Sequence, residues 1–248
     1  MVFKVLDILL VGIQVTHIVG LLSLFIAKYY LPEFLKYGKT FTGYTKGKKS
    51  LWNRVKEFSV PKSYFGHFYI LSSILATYTV LSYPKATLAW QVLLHSLRRL
   101  YETYCINVYT KDSRMNWSHY AVGIWFYTQL NILVLLRLKK GDPGNNHLFM
   151  MLIMILASWD QFKSHKILAK LVKYSLPEGR LFNTVCCPHY FDEIVIYASY
   201  TTYGYEFFWP LLWVIASLSI SAIETRRYYR QKFNDQSVPK YAIIPYCL

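Results

Sequence analysis

The chain of 248 residues has 28 Lys and Arg against 13 Asp and Glu, a formal net charge of +15, yet 54% of it is apolar and 18% aromatic. That apolar content excludes a disordered chain, and four cysteines in so long a chain exclude a disulfide scaffold. The basic residues lie between apolar runs rather than along one face, so we do not expect a nucleic-acid partner. We expect a polytopic membrane protein instead.

Apolar runs long enough to cross a bilayer recur along the whole chain. A hydrocarbon core of about 30 Å requires about 20 apolar residues per helix. We predict an all-α fold with about seven transmembrane helices, near residues 5–27, 65–81, 88–107, 119–136, 147–168, 191–205 and 207–223. The sixth run is short and contains Asp192 and Glu193, which leaves six spans as the alternative.

The Lys and Arg residues of the loops predict how the helices cross the membrane, because positively charged loops stay cytosolic. They concentrate in residues 28–65, 98–118 and 163–187 and in the tail after residue 225. With seven helices these segments share the cytosolic side, so the N-terminus is luminal and the C-terminus cytosolic. The basic loop at residues 137–140 then falls on the luminal side, against the rule. The chain contains no repeat or linker, which predicts one domain over residues 1–248.

The first polar cluster closes the third apolar run, in the sequence H-S-L-R-R-L-Y-E at residues 95–102. In a helix His95, Arg98 or Arg99, and Glu102 share one face. Adjacent guanidinium groups bind phosphate oxygens well, which favours an anion or substrate site. The alternative is an arginine pair that extends from the end of the helix to the interface, with Glu102 as its counter-ion.

A second cluster closes the fifth run, where Gln161, Ser164 and His165 share a helical face. A helix that simply leaves the bilayer at this point explains this second cluster equally well.

The tail forms a fourth cluster of basic residues and tyrosines, among them Arg226 and Arg227. An ordinary cytosolic anchor explains the fourth cluster by itself.

The third cluster opens the sixth run. Pro188 can begin a helix in which His189, Glu193, Tyr197 and Tyr200 form a polar stripe. A histidine and a glutamate four residues apart could hold a metal, but two ligands are weak evidence, and we predict no metal. Together the four clusters predict a cation-rich cavity that opens to the cytosol, suited to a phosphorylated cofactor and to an apolar substrate from the membrane.

Four motifs in order resemble the steroid 5α-reductase family, and within it the polyprenol and polyprenal reductase branch. They are H-S-L-R-R-L-Y-E at 95–102, W-D-Q-F-K-S-H-K-I-L-A at 159–169, C-C-P-H-Y-F-D-E-I at 186–194 and the C-terminal stretch at 227–246. The resemblance covers about residues 85–248. It divides the domain into N-terminal helices with a basic cytosolic loop, residues 1–84, and a catalytic and cofactor-binding core, residues 85–248.

The resemblance implies an NADPH-dependent oxidoreductase of the endoplasmic reticulum membrane. Its expected substrate is a long-chain polyisoprenoid, whose α-isoprene double bond is reduced in the route to dolichol for protein N-glycosylation. Hydride requires an electrophilic β-carbon, which an enal has and an allylic alcohol lacks, so polyprenal is favoured over polyprenol. Membrane lipid is the expected surrounding, and no protein partner is indicated.

The resemblance places the family's cofactor contacts on four residues of the later motifs, Gln161, His165, His189 and Tyr229, and Glu193 supports the same wall. Asn107, outside the motifs, matches a further cofactor-contacting asparagine of the family. Reasoning from charge adds phosphate partners to this set, namely Arg98, Arg99, Lys173 and Arg227. Three residues could polarise the substrate carbonyl, namely His95, Tyr101 and Glu102. Steroid members have a carbonyl-binding tyrosine where this chain has Ser96, so the choice among the three stays open.

Other functions remain possible from the sequence. A direct polyprenol reductase, an enone-steroid reductase or an enoyl reductase would share the same motifs. An isoprenylcysteine methyltransferase has a similar helical layout, but this chain lacks the glutamate-rich C-terminal segment of that group. A lipid-binding membrane protein without catalysis would need no cofactor at all.

Overall fold

The computed structural model describes residues 2–35, 50–141, 148–172, 175–233 and 237–247. Several residues of the sequence analysis lie outside these ranges. They are Lys173, His147 at the start of the fifth predicted span, and the basic residues of segment 36–49.

Within the described ranges the chain is almost entirely helical, which confirms the all-α fold of a polytopic membrane protein. Each of the seven predicted apolar runs corresponds to one helix, and a short helix, α2, lies in the first loop. The helices are α1 Val2–Tyr30, α2 Leu51–Glu57, α3 Phe65–Ser82, α4 Thr87–Tyr101, α5 Trp117–Lys140, α6 Leu148–Lys170, α7 Pro188–Tyr200 and α8 Phe208–Lys232.

Four segments of the described chain are both long enough and apolar enough to cross a membrane, Lys4–Tyr30, Lys62–Ser82, Trp117–Lys140 and Tyr205–Lys232. They contain α1, α3, α5 and α8. Helices α4 and α7 are shorter, with 15 and 13 residues, and the last third of α6 is rich in polar residues. The same residues that lower the hydropathy of these three helices form the polar clusters of the sequence. Orientation and the number of crossings stay predictions.

The loops before α3 and α5 are joined by a small antiparallel sheet. Its strands are β1, Ser59–Pro61, and β2, Arg114–Asn116. The Arg114 guanidinium donates to the Ser59 carbonyl at 2.5 Å and to the Ser59 hydroxyl at 3.0 Å. Both loops belong to the predicted cytosolic side, so the sheet fixes the ends of α3 and α5 relative to each other on that side.

Ion pairs attach α1 to the bundle near both of its ends. Lys140 at the end of α5 lies 2.8 Å from the Asp7 carboxylate, and Lys28 lies 2.5 Å from Glu224 of α8. Arg137 donates to the carbonyls of Tyr203 and Gly141. These contacts give a physical reason for the basic loop on the predicted luminal side, because two of its cations are bound to acceptors of neighbouring segments.

The C-terminal tail folds back onto the residues that precede α7. The amide of Cys186 donates to the Tyr241 carbonyl, and that of Cys187 donates to the Ala242 carbonyl, both at 2.9 Å. Tyr229 of α8 is buried in the same cluster. The tail therefore holds the N-terminal end of α7 against the end of α8.

Close packing of α3 on α5 predicts a stability effect at Gly123. A Cβ atom there would lie 2.5 Å from the Phe68 ring, whereas a Cβ at Gly12 of α1 would meet nothing within 4 Å. Small residues let membrane helices approach closely, and overpacking costs about 1–3 kcal/mol. We expect Gly123→Ala to lower the thermal midpoint of the detergent-solubilised protein and Gly12→Ala to leave it unchanged or slightly raised. Equal midpoints for the two variants would contradict this packing.

Candidate functional site

The described polar residues converge where the end of α4 meets α3, α6 and α7. Helix α4 continues into a single π-helical turn, Glu102–Ile106, and such turns are frequent at functional sites. Helices α6 and α7 pack side by side along their length and provide the opposite wall.

Glu102 is the centre of this network and is fully buried. Its Oε1 accepts from Arg98 Nη1 at 2.5 Å, and its Oε2 accepts from Arg99 Nη1 at 2.5 Å and from His165 Nδ1 at 2.7 Å. Arginine is a donor only, so a protonated carboxyl could not satisfy both guanidinium groups. Glu102 is therefore an ionised acceptor.

Arg98 connects the centre to α6 and α7. Its Nη2 donates to Gln161 Oε1 at 2.5 Å and to His95 Nδ1 at 3.3 Å. The Gln161 amide nitrogen donates to Glu193 Oε2 at 2.6 Å and to the His189 carbonyl at 2.8 Å. A chain of hydrogen bonds thus runs from α4 through Gln161 to α7.

The tautomer of His95 follows from its partner. Because Arg98 donates to Nδ1, that nitrogen has no proton in the neutral ring and the proton is on Nε2. His95 is 1% exposed, and its Nε2 lies 3.5 Å from Glu193 Oε1, at the edge of hydrogen-bonding distance. His95 therefore directs a buried N–H toward α7.

His165 has the opposite tautomer. Since the Glu102 carboxylate can only accept, His165 Nδ1 carries the proton and Nε2 is left as an acceptor. Arg99 lies beside this pair, stacks on the Tyr69 ring with 5.0 Å from its guanidinium carbon to the ring centroid, and donates to the Tyr69 hydroxyl at 2.8 Å. Arg99 thereby connects α3 to the network.

Buried aromatic residues border the network on its apolar side. The Tyr197 ring lies edge-on to His95 at 5.9 Å between centroids, and Tyr127 packs against Tyr69 at 5.2 Å. Ser96, which stands where steroid members have a tyrosine, is 2.7 Å from Ser72 Oγ, and Asn131 donates to that same oxygen. Ser96 thus belongs to a structural contact among α3, α4 and α5.

Two other predicted site residues, Tyr101 and Asn107, lie away from the centre, whereas His189 borders it. Tyr101 is 53% exposed, on the outer face of α4. Asn107 donates to the Tyr109 hydroxyl at 3.4 Å, and burial raises the pKa of Tyr109. The His189 ring packs against His165 with 5.5 Å between centroids.

The last two predicted residues lie toward the C-terminus. Tyr229 is buried in the tail cluster. Arg227 is exposed and lines a cleft of about 380 Å³ together with Arg226 and Arg230. Arg98 and Arg99, by contrast, bind the Glu102 carboxylate inside the network.

The structure adds residues that the sequence analysis did not select. Tyr69 comes from α3, inside the N-terminal segment 1–84, and no motif includes it. Asp160 forms an ion pair with Arg180, and Asp192 lies buried beside Glu193. Among the described residues no group of three or more His, Cys, Asp and Glu side chains is placed to hold a metal ion.

Comparison with known proteins identifies the class. Residues 138–248 match the family described as 3-oxo-5-alpha-steroid 4-dehydrogenase. The chain is 53% identical over 237 residues to a polyprenal reductase of Saccharomyces cerevisiae, covering 95% of this chain and 94% of that protein. It is 29% identical over 295 residues to a polyprenal reductase of Drosophila melanogaster (92% and 88% covered) and over 254 residues to one of Caenorhabditis elegans (78% and 81%).

The chain is thus an oxidoreductase of the class that reduces carbon–carbon double bonds. It belongs to the steroid 5α-reductase family, and the relatives named above place it beside the polyprenal reductases. The resemblance carried by the four sequence motifs is confirmed.

Because Glu102 pairs with two arginines at the centre of the network, we expect Glu102→Gln to lower the free energy of unfolding strongly. The amide cannot neutralise two buried arginines, and breaking a buried ion pair costs about 3–5 kcal/mol. Glu224→Gln is the matched control, because the Lys28–Glu224 pair is partly exposed and its loss costs about 1 kcal/mol or less. Thermal unfolding of both variants in detergent measures the difference, and equal losses would show that Glu102 does not hold the helices together.

Proposed function

We propose that the protein reduces the α-isoprene double bond of polyprenal to give dolichal, with NADPH as the reductant. The observation that carries the proposal is the 53% identity to the yeast polyprenal reductase over 94% of that protein's length. The buried polar network next to exposed apolar helix faces supports it, because an isoprenoid aldehyde has a polar head and a membrane-soluble tail.

The chemistry favours the aldehyde over the alcohol. Conjugation with a carbonyl makes the β-carbon electrophilic, and a donor at the oxygen stabilises the enolate that forms. An allylic alcohol has no such acceptor. The reduced cofactor supplies the hydride, and the protein must position the substrate, polarise its oxygen and deliver one proton.

The wall between α6 and α7 is the proposed place for the reactive end of the cofactor. It presents Gln161, His165, His189 and Glu193, four of the residues that the family resemblance implied. His165 Nε2 is an acceptor there. For the phosphates we propose the arginine cleft of α8, with Tyr229 in the adjoining tail cluster. Arg98 and Arg99 then act by holding Glu102 and the helices in place.

For the carbonyl donor we propose His95, one of three candidates. Glu102 accepts from three donors and has no proton to give. Tyr101 lies on the exposed face of α4. His95 directs a buried N–H toward α7 at the edge of the tyrosine cluster, and a neutral imidazole donor is suited to a developing enolate.

The proposed setting is the endoplasmic reticulum membrane, in dolichol synthesis for protein N-glycosylation. A membrane location follows from the fold, and the compartment follows from the proposed pathway. Reduction of an enone steroid is the second candidate, because residues 138–248 match the 3-oxo-5-alpha-steroid 4-dehydrogenase family.

A reconstituted assay tests the function. We expect the purified protein in liposomes with NADPH to add two hydrogens to polyprenal, detected by mass spectrometry, and to leave polyprenol and an enone steroid unchanged. Reduction of polyprenol without an aldehyde intermediate would contradict the electrophile argument. Reduction of the steroid alone would favour the second candidate, and no reduction of any substrate would reject the proposal.

A second prediction concerns Glu193. Its carboxylate holds Gln161 and faces His95, so Glu193→Gln should lower turnover by about 100-fold while the protein remains folded, because a displacement of about 1 Å in the reacting groups can cost that much. Glu224→Gln replaces a carboxylate outside the site and should retain full turnover. If Glu193→Gln reduces polyprenal at the wild-type rate, the α6–α7 wall is not part of the site.

A further inference from the structure

Helix α2 presents large apolar side chains to its surroundings although it lies outside the four apolar spans. Leu51 is 78% exposed, Trp52 is 52% exposed, and Phe58, at the C-terminal cap, is 58% exposed. Val55 is exposed as well. Residues three and four positions apart are neighbours on a helix surface, so these four side chains form one face, which we call the α2 face. An apolar cluster outside a spanning helix indicates a surface that binds something.

The α2 face is held at the level where α5 begins. Trp117, the first residue of α5, donates from its ring nitrogen to the Val55 carbonyl at 2.8 Å and from its amide to the Phe58 carbonyl at 3.1 Å. The Phe34 ring packs against the Trp52 and Trp117 rings, with 6.5 and 6.1 Å between centroids. Because Trp117 also begins one of the four spans, α2 lies at the boundary between the hydrocarbon core and the headgroups.

Two cations border the α2 face. Arg54 and Lys56 are the neighbours of Val55 in the chain, so they lie on opposite sides of it around the helix axis. Arg54 is exposed, and Lys56 Nζ lies 5.4 Å from the centroid of the Trp52 ring. Residues 28–65 contain nine Lys or Arg against two Glu. An apolar face with a basic border complements a surface that is apolar inside and anionic at its edge.

We propose that α2 is an interfacial helix that binds an anionic phospholipid of the adjacent leaflet. The α2 face lies among the upper parts of the acyl chains, and Arg54 and Lys56 bind the negatively charged headgroup. Apolar burial provides the adhesion, and the cations select an anionic lipid over a zwitterionic one. The inference is independent of the proposed function, because neither the cofactor nor polyprenal takes part in it.

Lipid binding at α2 also fixes the small sheet. Helix α2 ends at Glu57, and β1 begins at Ser59. Because β1 pairs with β2, which directly precedes α5, a lipid held by α2 sets the depth at which α3 and α5 enter the membrane.

The depth of Trp52 tests the location. Trp52→Phe keeps an aromatic ring against Phe34, so the fluorescence of wild type minus that of the variant reports Trp52. In liposomes that contain the full-length protein, phosphatidylcholine brominated near the headgroup end of its acyl chains should quench this difference signal, and iodide in the water should not. Quenching by iodide alone would place the face in water, and quenching by neither would show that protein covers it. Both results would overturn the proposal.

Brominated phosphatidylserine in place of brominated phosphatidylcholine tests the choice of headgroup. We expect the Trp52 signal to show a preference of about fivefold or more for phosphatidylserine, the contribution of one Lys or Arg near an anionic surface. Equal quenching by the two lipids would overturn the proposal. This comparison needs no substitution at Arg54 or Lys56, so it decides even where such a variant does not fold.

The double variant Arg54→Gln with Lys56→Gln assigns the preference to these two cations. It should lower the ratio of phosphatidylserine to phosphatidylcholine binding to about one, since the headgroup then meets no charge at the α2 face. Lys139→Gln, which removes an exposed cation near the opposite end of α5, is the matched control and should keep the wild-type ratio. A wild-type ratio in the double variant, or an equal loss in Lys139→Gln, would overturn the proposal.

Discussion

The structure depends on a carboxylate buried inside a membrane bundle. Glu102 has no solvent to stabilise its charge, and a half-paired ion at this depth would cost several kcal/mol. Three donors from two helices meet the two carboxylate oxygens instead. Arg99 extends the connection to Tyr69 of α3, and Arg98 extends it through Gln161 of α6 to α7. The geometry of four helices is thereby set by the need to satisfy one charge.

The same constraint explains why α4 and α7 are short and weakly hydrophobic. A helix that contributes charged side chains to the interior cannot also present an apolar surface all round, so the strongly apolar helices α1, α3, α5 and α8 provide that surface. Within the network Arg98 and Arg99 both pair with Glu102, while Glu193 accepts from Gln161 and lies 3.5 Å from His95 Nε2. Because the two arginines of the described network are held by a carboxylate, we propose the arginines of α8 for the cofactor phosphates.

The sequence predicts the fold more completely than it predicts the candidate site. Apolar runs identified every long helix, because length and hydropathy are local properties. Periodicity also put His95, the arginines and Glu102 on one face, but it could not decide whether the arginines bind a ligand or the neighbouring glutamate. Tyr69 is about 30 residues away in a segment without motifs, so only the packing of α3 on α4 brings it to Arg99.

Asp192 and Glu193 show that the surroundings of a carboxyl group depend on its burial and its partners, which the residue type alone does not reveal. They are adjacent acids on one short helix, and the sequence analysis selected only the second. Glu193 accepts from Gln161 and lies 3.5 Å from His95 Nε2, whereas Asp192 is buried and its Oδ2 has no hydrogen-bond partner among the described residues. Sequence position alone gives no basis for this difference, because the partners come from α4 and α6 and only the packing of α7 against them assigns each acid its surroundings.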